Sequence, residues 1–133
     1  MFYESVGIIG HLYGSKRASM SGINYHNRRF ALIGHKDEAK LGQTIFYYNQ
    51  EGDLVWGTLV GGTVRYGQFV ATVDEAGVLD LRYQYLDVYG ELRTGISHST
   101  PELMDDGRIR IREVYEFTSG DRYKGVSVVE EIV

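Results

Sequence analysis

A chain of 133 residues holds one domain around one core, and its 43% hydrophobic content is spread along the sequence with no run long enough to span a membrane as a helix. Fourteen basic against eighteen acidic residues give a net charge of −4, which argues against a nucleic-acid-binding surface. The absence of cysteine excludes disulfides, thiolate metal sites and cysteine nucleophiles, while seventeen glycines, eleven tyrosines and a single proline, Pro101, suit tightly turned strands carrying polar-tipped aromatics.

Residues 1–21 differ from the rest. Residues 1–10 have the composition of a short strand, and residues 15–22 that of a linker, so the stretch is read as an N-terminal extension, either free or packed across a barrel mouth. The apolar piece Val6-Gly7-Ile8-Ile9 is too short for a secretory signal, and the basic pair Lys16-Arg17 follows it instead of preceding it. The expected location is therefore cytoplasmic.

From residue 22 to 133 a turn signal falls at nearly every tenth or twelfth position: Lys36-Asp37-Glu38, Glu51-Gly52-Asp53, Gly61-Gly62, Asp74-Glu75-Ala76-Gly77, Asp87-Val88-Tyr89-Gly90, Asp105-Asp106-Gly107 and Ser119-Gly120-Asp121. The β-rich runs between them predict strands at 23–34, 42–50, 53–60, 63–73, 78–87, 91–99, 108–118 and 122–132. Short connections between consecutive strands imply antiparallel neighbours, so the predicted fold is all-β, a single antiparallel up-and-down barrel of about eight strands.

Strand alternation then assigns faces. The Gly61-Gly62 turn places Leu54 and Trp56 outside, with the facing of so large a residue as Trp56 left open. A turn at 74–77 brings Tyr66, Gln68, Val70 and Thr72 to the inner face. A turn at 87–90 pairs Leu79, Leu81, Tyr83 and Tyr85 with His98, Ile96, Thr94 and Leu92 inside, leaving Arg93 and Ser97 outside. In the last hairpin, a loop centred on Gly120 sets Glu116 opposite Lys124 and Arg110 opposite Glu130. Opposite charges across the pair favour that register by about 0.2–1 kcal/mol each. The same register turns Ile109, Ile111, Glu113, Tyr115 and Phe117 inward, opposite Glu131, Val129, Ser127, Gly125 and Tyr123.

An eight-stranded barrel is just wide enough to be filled by side chains or to hold one small ligand. Glu113 decides between these, because a carboxylate in an apolar interior must be paired, take up a proton or meet a ligand group. Either it closes a core network with Ser127 and one or more of Tyr83, Tyr85 and Tyr115, or it anchors a small polar molecule beneath an aromatic lining. The candidate ligand-binding residues are Glu113, Ser127, Tyr115, Tyr83, Tyr85, Thr94, His98 and Tyr66.

No catalytic constellation accompanies them. His98 and Ser99 are adjacent on a strand and point to opposite faces, and Glu113 and Glu116 likewise cannot act together as a glycosidase pair. His11, His26, His35 and His98 lack ligand spacing, so neither metal nor cofactor is expected. The Arg108, Arg110, Arg112 stripe reads as a solvated face. Residues 61–67 are glycine-rich, but no helix follows to cradle phosphate.

Asn24-Tyr25-His26-Asn27-Arg28, Gly52-Asp53, Gly61-Gly62, Ala71-Thr72-Val73-Asp74-Glu75, Leu79-Asp80-Leu81-Arg82-Tyr83-Gln84, Gly90-Glu91-Leu92-Arg93-Thr94-Gly95, Ser99-Thr100-Pro101-Glu102, Asp106-Gly107-Arg108-Ile109-Arg110 and Thr118-Ser119-Gly120-Asp121 come in an order and spacing that resembles a family of small, poorly characterised bacterial proteins. The resemblance spans about residues 22–131. It implies a barrel similar to those of avidins and lipocalins; family members are expected to carry a tryptophan-rich segment where this chain departs with Tyr115-Glu116-Phe117. Some members carry the label N-acetylglutamate synthase, which implies an acetyltransferase as an alternative to a ligand-binding barrel. The residues themselves offer no helix N-terminus or backbone nest for a coenzyme A pyrophosphate. A structural or dimerising barrel with a filled core is the remaining alternative, homodimerisation being favoured by any exposed aromatic patch near Trp56 and Phe69.

Overall fold

The structure, a computed structural model, describes residues 22–34 and 38–133. The reading of residues 1–21 and the Lys36-Asp37 part of the first turn signal lie outside these. Eight strands follow one another in chain order: β1 (Arg28–Ile33), β2 (Ile45–Glu51), β3 (Leu54–Gly61), β4 (Val64–Val73), β5 (Leu79–Asp87), β6 (Leu92–Leu103), β7 (Ile109–Phe117) and β8 (Lys124–Ile132). Each pairs antiparallel with the next, and β8 returns to β1 through the pairs from Arg29 with Ile132 to Ile33 with Val128, closing the barrel. A four-residue helix, α1 (Glu38–Leu41), lies in the β1–β2 connection.

The last hairpin has the register that its charges favour. Arg110 sits opposite Glu130, with Nη2 2.9 Å from Oε2, and Glu116 sits opposite Lys124. Two other hairpins differ from expectation by one residue. The stretches Asp74–Val78 and Asp87–Glu91 share a design in which the N–H of Gly77 or Gly90 donates to the carbonyl of Asp74 or Asp87, closing a turn. The glycine then adopts a left-handed conformation, φ +83° at Gly77 and +88° at Gly90. That glycine belongs to a three-residue loop, so the strands pair about a residue and not about a bond. Oδ1 of Asp74 locks the loop by accepting from the N–H groups of Ala76 and Val78, and Oδ1 of Asp87 from those of Tyr89 and Glu91.

A one-residue slip exchanges faces. Leu79 therefore pairs with Ser99 and Val73, not with His98 and Thr72. Tyr66, Gln68, Val70 and Thr72 of β4 and Leu92, Thr94, Ile96 and His98 of β6 point outward, while Gly67, Phe69, Ala71 and Val73, and Arg93, Gly95, Ser97 and Ser99, point inward. Trp56 is on the outer face, half-buried beside its cross-strand neighbours Asn49 and Val70.

The first strand is also shorter than predicted. Oδ1 of Asn24 accepts the N–H of His26, and Asn27 takes a left-handed φ of 61°, so the chain turns before β1 begins. This lets residues 22–27 close one end of the barrel. The Tyr25 hydroxyl donates to the Gly77 carbonyl at 2.6 Å, and the Tyr25 N–H donates to Oε1 of Gln50. Arg28 extends this closure with two bonds from Nη1 to the buried Glu131 carboxylate at 2.9 and 2.8 Å, while Glu131 also accepts the Ile109 N–H.

The half of the barrel above this closed end is solid. Tyr25, Phe30, Tyr48, Val55, Val73, Leu79, Ile109, Ile111 and Val129 are essentially inaccessible, and burying each large apolar side chain contributes about 1.5–3 kcal/mol. The Tyr48 ring lies 4.8 Å from that of Phe30 and 4.6 Å from that of Phe69, centroid to centroid. Its hydroxyl is buried with no hydrogen-bond partner among the described residues. An unpaired buried hydroxyl costs about 1–3 kcal/mol, so Tyr48→Phe should raise stability by about 1 kcal/mol in reversible denaturant unfolding. A loss of stability would instead mean that the hydroxyl is bonded in solution.

Candidate functional site

The other half of the barrel is hollow, and inward-facing glycines are the reason. Four cross-strand pairs set a glycine against an aromatic ring on the inner wall: Gly57 with Phe69, Gly67 with Tyr85, Gly95 with Tyr83, and Gly125 with Tyr115. A Cβ at Gly95 would overlap the end of the Tyr83 ring, one at Gly125 the end of the Tyr115 ring, and one at Gly57 the Phe69 ring and the Tyr47 carbonyl oxygen. Without side chains beneath them, the rings lie against the wall and leave the axis open.

The resulting cavity has a volume of about 860 Å³ and opens at the barrel end carrying Gly34, Thr63, Asp121 and Arg122. Tyr83, Tyr85, Tyr115 and Phe117 line one side. Tyr83 and Tyr85 stack at 6.1 Å, and Phe117 meets Tyr83 edge-on at 5.9 Å and Tyr115 at 5.8 Å. The Arg93 guanidinium stands 5.4 Å from the Phe117 ring centroid and is held there by Asp87, Nε to Oδ2 3.2 Å. Alternation along β7 puts Phe117, Tyr115 and Glu113 on the lining, with the fully buried Ile111 below. Glu113 thus lies at the floor, roughly 13 Å along the strand from Phe117 at 3.3 Å per residue.

Glu113 is 7% exposed. The Ser127 hydroxyl donates to its Oε1 at 3.0 Å, and no other side chain among the described residues hydrogen-bonds the carboxyl. Burial pushes its pKa from 4.5 up to about 7, the Ser127 hydrogen bond offsetting only part of the rise. Near neutral pH it therefore changes charge readily. The hydroxyls of Tyr83, Tyr85 and Tyr115 make no hydrogen bond to any described residue, and burial raises the pKa of each. The expected network of Glu113 with those tyrosines is thus absent, and only its Ser127 bond forms.

Next to Glu113, across the β6–β7 pair, is the fully buried Ser99, whose hydroxyl lies 2.8 Å from that of Ser97. When Ser99 donates to Ser97, the Ser97 hydroxyl hydrogen is free to point into the cavity that Ser97 lines. The floor then offers one carboxyl and one free hydroxyl hydrogen beneath walls that are mostly apolar and aromatic, with the Asp87-bound Arg93 higher up and Asp121 and Arg122 at the mouth.

Of the predicted site residues, the fold gathers Glu113, Ser127, Tyr115, Tyr83 and Tyr85 around this cavity. Thr94, His98 and Tyr66 stand on the outer face, Tyr66 at 52% exposure. Their displacement follows from the two left-handed turn glycines described above. The same slip hid Ser97 and Arg93, which the D-x-x-G pattern at 87–90 would have turned inward had it been read as a three-residue loop. Among the described residues there is no group of His, Asp and Glu that could hold a metal ion.

No curated protein and no solved structure matches the chain. The family model of the avidin-like proteins matches residues 23–132, from the turn that closes one barrel end to the last residue of β8. With that match running over all eight strands of a closed up-and-down barrel, the chain belongs to the avidin-like protein family.

Proposed function

We propose that the protein binds one small organic molecule inside its barrel, with its ring or rings against Tyr83, Tyr85, Tyr115 and Phe117 and its polar end at Glu113, Ser127 and Ser97. The half-hollow interior carries this reading: the cavity of about 860 Å³ lies within the range of small-molecule sites and is mostly apolar with a few convergent polar groups. A barrel of this strand number holds one small ligand in lipocalins and streptavidin. Family membership is in keeping with such a role. The polar groups are worth attention because they cost stability where they stand. A core selected only for folding would bond Glu113 more fully or replace it with an apolar residue.

Native mass spectrometry of the protein taken gently from its own cells tests this. A single small molecule should be retained at unit stoichiometry, and Glu113→Gln together with Tyr83→Ala should lower its occupancy at least tenfold. A protein that carries no adduct, and takes up none from a fresh extract of the same cells, would count against a ligand in the barrel.

A further inference from the structure

We infer that the molecule bound in the barrel carries a protonated amine on a flat aromatic body, with the ammonium on Glu113 and the rings of Tyr83, Tyr85, Tyr115 and Phe117 around it. This rests on the barrel-interior reading above and narrows its ligand class.

Among the described residues, Glu113 is a buried acid without a countercharge. No Lys, Arg or His among the described residues lies within ion-pair distance of it. Arg93, on the same inner wall, is turned to Asp87 at 3.2 Å and Glu91 at 3.6 Å. A carboxylate has about four acceptor positions, and Ser127 occupies one of them. An ionised carboxylate is costly in an apolar enclosure unless a cation meets it. The surrounding rings favour the same partner, since the face of an aromatic ring is the negative part of its quadrupole and attracts ammonium groups. An anionic ligand end would face Glu113 directly, and a neutral one would leave the carboxylate uncompensated where it is ionised, above about pH 7.

The groups around Glu113 leave it as the switch near neutrality. Tyr48 faces inward from β2, Tyr83 and Tyr85 from β5 and Tyr115 from β7, and the pKa of each is raised from its ordinary value, away from neutral pH. From β6 come the paired Arg93 and two serines, and from β8 Ser127 and, lower down, the Glu131 bound to Arg28 of β1. The inward residues of β3 and β4 are apolar or glycine. An ammonium ligand must displace the proton that Glu113 holds below about pH 7. Its affinity therefore falls about tenfold per pH unit on the acid side and levels off on the alkaline side.

Isothermal titration of the full chain with tryptamine, tryptophol and indole-3-acetate separates the charge of the ligand end from the shape of the ring. At pH 8 tryptamine should bind at least tenfold more tightly than tryptophol, with no detectable binding of the acid. Tryptamine should weaken close to tenfold from pH 6.5 to 5.5, while tryptophol stays level. Glu113→Gln should abolish the preference for the amine, so that tryptamine and tryptophol bind the variant equally at pH 8, and a near-ultraviolet circular dichroism spectrum matching that of the unsubstituted protein shows that the variant is folded. Equal or stronger binding of the alcohol or the acid, an amine preference that survives in the glutamine variant, or no binding of any of the three would overturn the assignment. A molecule retained from cells that proves neutral or anionic would overturn it too while leaving the barrel-interior reading in place. No retained molecule together with no indole binding would remove both.

Discussion

Replacing Glu113 by glutamine should stabilise the ligand-free protein by about 3 kcal/mol at pH 8 and above, and change it little near pH 4.5. In the folded protein burial holds the Glu113 carboxyl at about 7 against 4.5 for a free one. Below 4.5 the folded and unfolded chains both carry the proton, and the folded state is not penalised. Between 4.5 and 7 the unfolded chain releases it first, so the stability contributed by the raised pKa is lost as pH rises through that window. Above 7 the loss is complete. At about 1.4 kcal/mol per unit the difference amounts to about 3 kcal/mol, and the 7% exposure of the residue leaves little solvent screening to reduce it. Glutamine keeps the shape and never ionises. Urea unfolding of both proteins across pH 4.5 to 8.5 reads the difference directly, since all other groups cancel; a difference that does not change with pH would mean that the carboxyl is already compensated in solution. The expected result would mean that the acid is held against stability, as a group kept for binding would be.

The glycine–aromatic pairs make a second large effect expected at Gly57. Gly57→Ala should cost about 3 kcal/mol or more, because its methyl would land on the Tyr47 carbonyl oxygen as well as on the Phe69 ring. The carbonyl belongs to the β2–β3 ladder, where Tyr48 pairs with Gly57, and cannot withdraw without opening it. Gly95→Ala provides the contrast. There the methyl would meet the end of the Tyr83 ring, which can swing away from the wall. Its stability cost should be near 1 kcal/mol, but the displaced ring enters the cavity, so ligand retention should suffer most. Thermal unfolding and native mass spectrometry on the two variants distinguish wall from chamber. A Gly57→Ala protein with unchanged stability would show that the β2–β3 wall is not packed this closely.

The two variants also mark the line between what was legible and what was not. Strand number, order and closure could be read from turn signals at regular spacing, because consecutive antiparallel strands joined by short loops have few alternatives. The last hairpin was legible to the residue: Arg110 with Glu130 and Glu116 with Lys124 pin the register, so Glu113, Tyr115 and Ser127 were placed inward from local information. At β4 and β6 the same method put Tyr66, Thr94 and His98 on the wrong face. D-x-x-G counts as four residues to the eye, but the left-handed glycine makes the loop one of three, and a single residue reverses a strand.

An all-β barrel with an acid among tyrosines is written into the period-two pattern and the turns, since both depend on neighbours in the chain. Whether that barrel is full or hollow depends on pairs such as Gly95 with Tyr83 and Gly67 with Tyr85, where a missing side chain on one strand makes room for a ring on another. Such vacancies arise only when two strands meet in one register. The packed lower half, the open upper half and the Ser127 hydrogen bond on Glu113 are therefore products of tertiary assembly, set by which residues face each other across the sheet.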